Sequence, residues 1–157
     1  YKRQSIKWPS CTRPVRTRVC IVDPNVEFRR LSWDELTRYL HKEACKINRD
    51  VDQDVRYMNY SMFCQEAVEG FYVDDELVGF ARWHRITYHL SNIYVSEQAR
   101  GMGLARRFIN ERQLRTLYVI PHNHLAKRLY ASLGFVQAHC SVPTREFMTR
   151  EHLLQRA

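Results

Sequence analysis

With 157 residues, 45% of them apolar and 27% charged, the chain has the length and balance of one globular domain with a sizeable core. No apolar run approaches the roughly 18–20 residues of a membrane-spanning helix. The five cysteines (Cys11, Cys20, Cys45, Cys64, Cys140) form no C-x-x-C pair, which argues against a disulfide framework or structural zinc and makes a reducing cytoplasmic setting the expectation.

The net charge of +8 is concentrated at one end. Residues 1–20 carry Lys2, Arg3, Lys7, Arg13, Arg16 and Arg18 and no acid, whereas the rest balances 19 basic against 17 acidic groups. Residues 1–25 therefore read as a basic arm on a domain spanning 26–157. Such an arm suits an acidic protein face, a nucleic acid or another phosphorylated partner, or is simply a solvated tail. Val26–Leu31 follows as a strand. Ser32 and Glu35 have capping-box spacing, and Trp33, Leu36, Tyr39 and Leu40 continue a helix to about Cys45. Asn48–Asp54 reads as a loop and Asn59–Glu66 as a short helix. Glu69–Val73 and Leu77–Arg85 form a hairpin around Asp74-Asp75-Glu76, and His89–Val95 is a further strand. Leu104–Arg112 is a short helix, Leu114–Ile120 a strand, and Leu125, Leu129 and Leu133 stripe a helix that stops at Gly134. Phe135–Val142 and Arg145–Met148 close the chain. The order β-α-α-β-β-β-α-β-α-β-β predicts an α+β fold, a mixed central sheet flanked by helices.

Chemistry concentrates where the strand His89–Val95 gives way to Gln98-Ala99-Arg100-Gly101-Met102-Gly103 and then a helix. Two glycines one residue apart let backbone approach a ligand closely, and the helix behind them presents unpaired amides and a positive dipole end, a site for a diphosphate. A third glycine is missing, so this is not a dinucleotide fingerprint. Twenty residues on comes Asn123-His124-Leu125-Ala126-Lys127-Arg128-Leu129-Tyr130-Ala131-Ser132-Leu133-Gly134-Phe135.

Together these two segments resemble the GNAT superfamily of N-acetyltransferases. The pattern Q/R-x-x-G-x-G/A is met at Gln98–Gly103, and N-x-x-A-x-x-L-Y-x-x-x-G-F at Asn123, Ala126, Leu129, Tyr130, Gly134 and Phe135. The likeness is close over residues 69–136 and looser over 26–150. Two departures stand out: the helix after the glycines is short, and Ser96-Glu97 replaces a frequent proline. The resemblance implies direct acetyl transfer from acetyl-CoA to an amine, without a covalent enzyme intermediate. It implies a diphosphate held by the amides of Arg100, Gly101, Met102, Gly103, Leu104 and Ala105, with Gln98 in the motif and Arg100 or Lys127 adding a cation. The pantetheine arm would lie along Ile93, Tyr94 and Val95, a freed amide near Val95 would polarise the thioester carbonyl, and Asn123 and Ala126 would meet the coenzyme.

The departing thiolate needs a proton, and the Tyr130 phenol suits a general acid to sulfur. The amine must lose one, and His89 is the candidate base, ahead of His84 and Glu97, since it shares strand parity with Ile93 and Val95. His122, His124 and Cys140 match no standard metal spacing, so no metal is expected. The acceptor stays open between a protein lysine or N-terminus, an aminoacyl-tRNA and a small molecule, with the arm favouring a macromolecule. A non-catalytic acyl-CoA-binding module is the alternative. Retention of Gly101, Gly103 and Tyr130 speaks against it.

Overall fold

In the computed structural model, which describes residues 23–50, 59–141 and 144–151, the chain runs β1 (Val26–Arg30), α1 (Trp33–Asp50), α2 (Tyr60–Gln65), β2 (Ala67–Val73), β3 (Glu76–His84), β4 (His89–Val95), α3 (Leu104–Glu111), β5 (Thr116–Val119), α4 (His124–Ser132), β6 (Val136–Ala138) and β7 (Glu146–Thr149). The element order is the one the sequence predicts. The arm lies outside the described residues except for 23–25.

Local chemistry sets most boundaries. The Ser32 hydroxyl accepts from the Glu35 amide at 3.0 Å and the Glu35 carboxylate from the Ser32 amide at 2.9 Å, so the capping box forms. The helix continues past Cys45 to Asp50, overriding the loop expected from Asn48; residues 51–54 of that loop lie outside the described residues. Asn59 caps α2 through Met62 at 3.0 Å. Asp74 and Asp75 both take positive φ, 51° and 68°, giving the two-residue hairpin turn whose twist matches the strands.

All seven strands join one sheet in the order β1-β2-β3-β4-β5-β7-β6. Among the described residues only β4 and β5 pair in parallel; the other pairings are antiparallel. Leu36 and Tyr39 of α1 pack one face against Val68, Tyr72, Phe80 and Tyr94. Leu104, Phe108 and Ile109 of α3 and Tyr130 of α4 pack the other, with Phe71, Ala81, Leu90, Leu117 and Val119.

Two helix ends corrected the strand and stripe expectations. In α4, Phe135 donates to the Tyr130 carbonyl and Gly134, at φ 96°, to that of Ala131. This is a Schellman cap, with Phe135 packed edge-on to Tyr130 at 6.0 Å. Phe135 therefore belongs to the helix stop, and the strand shrinks to Val136–Ala138. The buried face of α4 is also rotated from the leucine stripe: Leu125 is 73% exposed, while Tyr130 is buried and Ala126, Leu129 and Leu133 pack around it. α3 ends the same way, Leu114 donating to Ile109 and Gln113, at φ 54°, to Asn110. That use of Leu114 delays β5 to Thr116.

Arg150 seals both stops. Its buried guanidinium donates to the carbonyls of Ile109, Leu114 and Leu133 at 3.1, 2.7 and 3.0 Å and to the Asn110 side chain at 2.9 Å, and it lies over the Phe135 ring. Replacing it by Met would strand several buried acceptors at negative helix ends. Arg150→Met should cost about 3 kcal/mol, a fall in Tm of roughly 6–12 °C. Arg150→Lys should recover little, since a point charge cannot span the fork. Thermal and urea unfolding of both variants checks this, and a loss under about 0.5 kcal/mol would remove Arg150 as a clamp.

Candidate active site

The parallel pairing of β4 with β5 lasts for two residue pairs, His89 with Thr116 and Leu90 with Leu117. Beyond them β5 follows β7 and β4 follows β3, so the sheet opens into a V. Ser96 donates its amide to Val78 on β3 at 2.7 Å. By alternation, the amides of Ile93 and Val95 face the gap without a ladder partner on β5. A proline at Ser96 would forfeit that donor. The Ser96 hydroxyl is bonded to Tyr39 of α1, fixing the residue from which the glycine loop departs.

A cavity of about 60 Å³ occupies the V, lined by Ser91, Asn92 and Ile93 of β4, Tyr118 of β5, and Asn123, Ala126 and Tyr130 at α4, among others. Tyr130 is 6% exposed and is held by its own helix stop, so the G-F of the second motif acts by orienting this ring. Asn123 caps α4 through the Ala126 amide at 3.2 Å. That side-chain oxygen is thus already committed to a structural bond, while the residue still borders the cavity.

A second cavity of about 340 Å³ lies at the open end of β4, lined by Val95, Arg100, Gly101, Gly103, Leu104, Ala105, Arg106 and others. Gly101 and Gly103 have φ of 90° and 78°, conformations that disfavour side chains. A Cβ on Gly103 would meet nothing within 4 Å, so the backbone there borders open space. α3 begins at Gly103 with no side-chain cap and no acid in its first turn. Its leading amides are left for an anion, in contrast to the Asn-capped α4. The residues present fit a diphosphate.

The cations are arranged differently from expectation. Arg100 borders the cavity but turns its Nε to the Val95 carbonyl at 2.8 Å and stacks over Tyr94. Lys127 lines neither cavity; its ammonium is held by Glu146 at 2.9 Å and the Pro121 carbonyl at 3.1 Å. Arg106, which motif reading passed over, lies at the cavity wall and donates to Ser132 at 2.9 Å. Gln98 and Met102 line neither cavity, and the Tyr94 side chain points away, donating to buried Glu43 at 2.9 Å.

His89 also departs from expectation. The β3–β4 register shifts between Arg82 and Trp83, so that Ser91 is an extra residue on β4. This bulge breaks strand parity: Leu90, Ile93 and Val95 pack toward α3 and α4, and His89 falls on the opposite face with Asn92 and Tyr94. His89 bonds Thr116 Oγ1 through Nδ1 at 2.7 Å and meets the Tyr118 ring edge-on. It lies at the closed end of the V, beside the cavity-lining Leu90 and Tyr118. Burial pushes its imidazole below the ordinary range; Glu66 opposes this, and His84 and Arg82 reinforce it. Two adjacent polar residues within an apolar strand, Ser91-Asn92, were the sequence signal for the bulge. Among the described residues, no group of three His, Cys, Asp or Glu is placed to hold a metal ion, and no helix is long and apolar enough to cross a membrane.

Residues 66–137 match the family model described as an acetyltransferase (GNAT) domain. Among solved structures, a chimera of the Vibrio cholerae spermidine N-acetyltransferase SpeG with hSSAT is 18% identical, covering 82% of this chain and 96% of its own, with a TM-score of 0.62. The PaiA N-acetyltransferase of Thermoplasma acidophilum, solved with coenzyme A, is 14% identical over 81% of this chain and 99% of that one, TM-score 0.60. The ribosomal-protein-S18-alanine N-acetyltransferase of Escherichia coli is 18% identical over 82% and 94%, TM-score 0.53. At these identities the likeness is one of fold. No curated protein matches in sequence.

The loop makes a direct prediction for acetyl-CoA, the ligand the sequence resemblance implies. Saturating acetyl-CoA should raise the wild-type Tm by mass action, about 2.7 kcal/mol at a hundredfold excess over Kd. Gly103→Val should lower the ligand-free Tm through its positive φ, at a cost of about 1–3 kcal/mol, and should abolish the ligand-dependent rise. An equal rise in both proteins by thermal shift would separate the loop from coenzyme binding.

Proposed function

We propose, from the match of residues 66–137 to the acetyltransferase (GNAT) domain model, that the chain transfers the acetyl group of acetyl-CoA directly to an amine. The observation that carries this reading is the join of two features along one strand: the V between β4 and β5 and, at its open end, the uncapped start of α3. A diphosphate bound at Arg100–Ala105 leads its pantetheine arm into the V. There the gap-facing amides of Ile93 and Val95 supply strand-like hydrogen bonds and polarise the thioester carbonyl.

Within that frame the reaction balances. The ammonium of the acceptor gives a proton to His89, which its lowered pKa keeps neutral at pH 7, directly or through water. The freed nitrogen attacks the carbonyl carbon, the C–S bond breaks, the thiolate takes a proton from Tyr130, and the second proton shed by the nitrogen as the amide forms returns through water to the Tyr130 phenolate. The acceptor leaves as an amide and coenzyme A as a thiol. Amine acceptors of the structural neighbours range from spermidine to a ribosomal-protein alanine. The six cations of residues 1–20 favour a macromolecular acceptor for this chain, a protein or an aminoacyl-tRNA drawn in by charge.

Tyr130→Phe tests the acid role, because it removes one hydroxyl and keeps the ring that Phe135 packs against. Losing general-acid assistance should lower kcat about 10²–10⁴-fold, with Tm and acetyl-CoA affinity near wild type. A large fall in Tm would instead assign the hydroxyl to structure. His89 makes a separate prediction. Its depressed pKa places the acid limb of kcat/KM below the ordinary imidazole value of about 6.5, with activity lost as pH falls through it. His89→Gln should erase this limb and reduce the rate at pH 7.5. A pH profile with the limb unchanged in the variant would remove His89 from proton transfer.

A further inference from the structure

On the sheet face covered by α1 and α2, β4 carries a polar strip that the opposite face lacks. Ser91, the bulge residue, donates its hydroxyl to Glu66 Oε1 at 2.6 Å. Arg82 donates Nε to Asn92 at 2.8 Å and brings its terminal nitrogen to 3.6 Å from the same Glu66 oxygen. Three residues along the strand, Tyr94 holds Glu43, which is only 2% exposed. The strip thus holds two carboxyl groups, Glu66 beside Arg82 and Glu43 on Tyr94, whose ring the Arg100 guanidinium overlies. Arg82 and Asn92 are buried, and Ser91 and Asn92 form part of the wall of the V.

Glu66 differs from Glu43 in being reachable. Both its partners among the described residues engage Oε1, and 17% of its side chain is exposed, which leaves Oε2 to whatever enters from this side. The coenzyme's cavity lies at the start of α3, with Leu129 of α4 in its wall. Direct transfer then brings the acceptor to the thioester from the other face, past Ser91, Tyr118 and His89. An ammonium entering a partly buried site loses water, and a carboxylate with one free oxygen replaces that hydration with a charge-assisted hydrogen bond. The same charge repels an acceptor whose own carboxylate sits beside the amine.

We infer that Glu66 is the acceptor-recognising residue, binding the ammonium of a primary alkylamine, a lysine side chain or the end of a polyamine, at the α1/α2 mouth of the V. This rests on the acetyltransferase reading given above. Its role is specificity, so the effect belongs in KM and follows the charge of the acceptor.

The test uses the full chain with acetyl-CoA and two acceptors, Nα-acetyl-lysine methylamide, cationic at neutral pH, and O-butylhydroxylamine, which is uncharged there. Glu66→Gln should raise KM for the lysine derivative about tenfold or more, change kcat less, and leave KM for the hydroxylamine as in wild type. Glu66→Asp, which keeps the charge, should restore part of the loss. Equal changes for both acceptors, no change for either, or Asp behaving as Gln would each overturn the assignment and leave Glu66 as a brace for Ser91 and Arg82. A wild-type protein that binds acetyl-CoA yet acetylates no amine overturns the parent reading and this inference with it.

Discussion

The guanidinium of Arg150 is the point at which the two helices that frame the site are joined. Its four acceptors are the stop of α3 (Ile109, Asn110, Leu114) and the stop of α4 (Leu133). A positive charge at two negative helix ends satisfies carbonyls that would otherwise be buried unpaired. Both helices are short, eight and nine residues, too short to be stable alone. Their direction is therefore set by these ends and by the face they bury. With the C-termini fixed, the N-termini are aimed as well: uncapped Gly103 at the coenzyme loop and Asn123 at the mouth of the V.

The V follows from a divergence of strands. β5 stays with β7 along all four of its residues but with β4 along only the first two, so the two parallel strands part beyond Leu90 and Leu117. The unpaired edge of β4 is an exposed row of donors and acceptors inside the molecule. An extended ligand can complete it in a way solvent does only partly. Tyr39, bonded to Ser96 and with its phenol pushed up by burial, ties α1 to the end of the same strand.

One extra residue divides the labour between the two faces. Without the bulge at Ser91, His89 would share the face of Ile93 and Val95, toward α3 and α4. With it, His89, Asn92 and Tyr94 lie on the α1/α2 side, near Glu66 and Arg82. The coenzyme cradle and Tyr130 thus belong to one face and the polar strip to the other, so that acid and base chemistry can be approached from opposite sides of one opening.

What the sequence by itself determined was local. The capping box at Ser32 and Glu35, the Asp74-Asp75 turn, the glycine loop and the Asn123 and Gly134 helix ends all depend on residues within a few positions of each other, and their chemistry is readable in order. The order of elements was legible on the same grounds. Tertiary structure decided everything that depends on a distant partner. Leu125 faces solvent because the core lies beside Tyr130, not beneath the leucine stripe. Lys127 is taken by Glu146 from β7 and Arg100 by the strand carbonyl behind it, so sequence proximity to the loop did not make them free cations. His89 changed faces because a register shift against β3 inserted Ser91 into the ladder. A side chain's type and spacing fix what it can bind. Only the packing of remote segments fixes which of those partners is within reach.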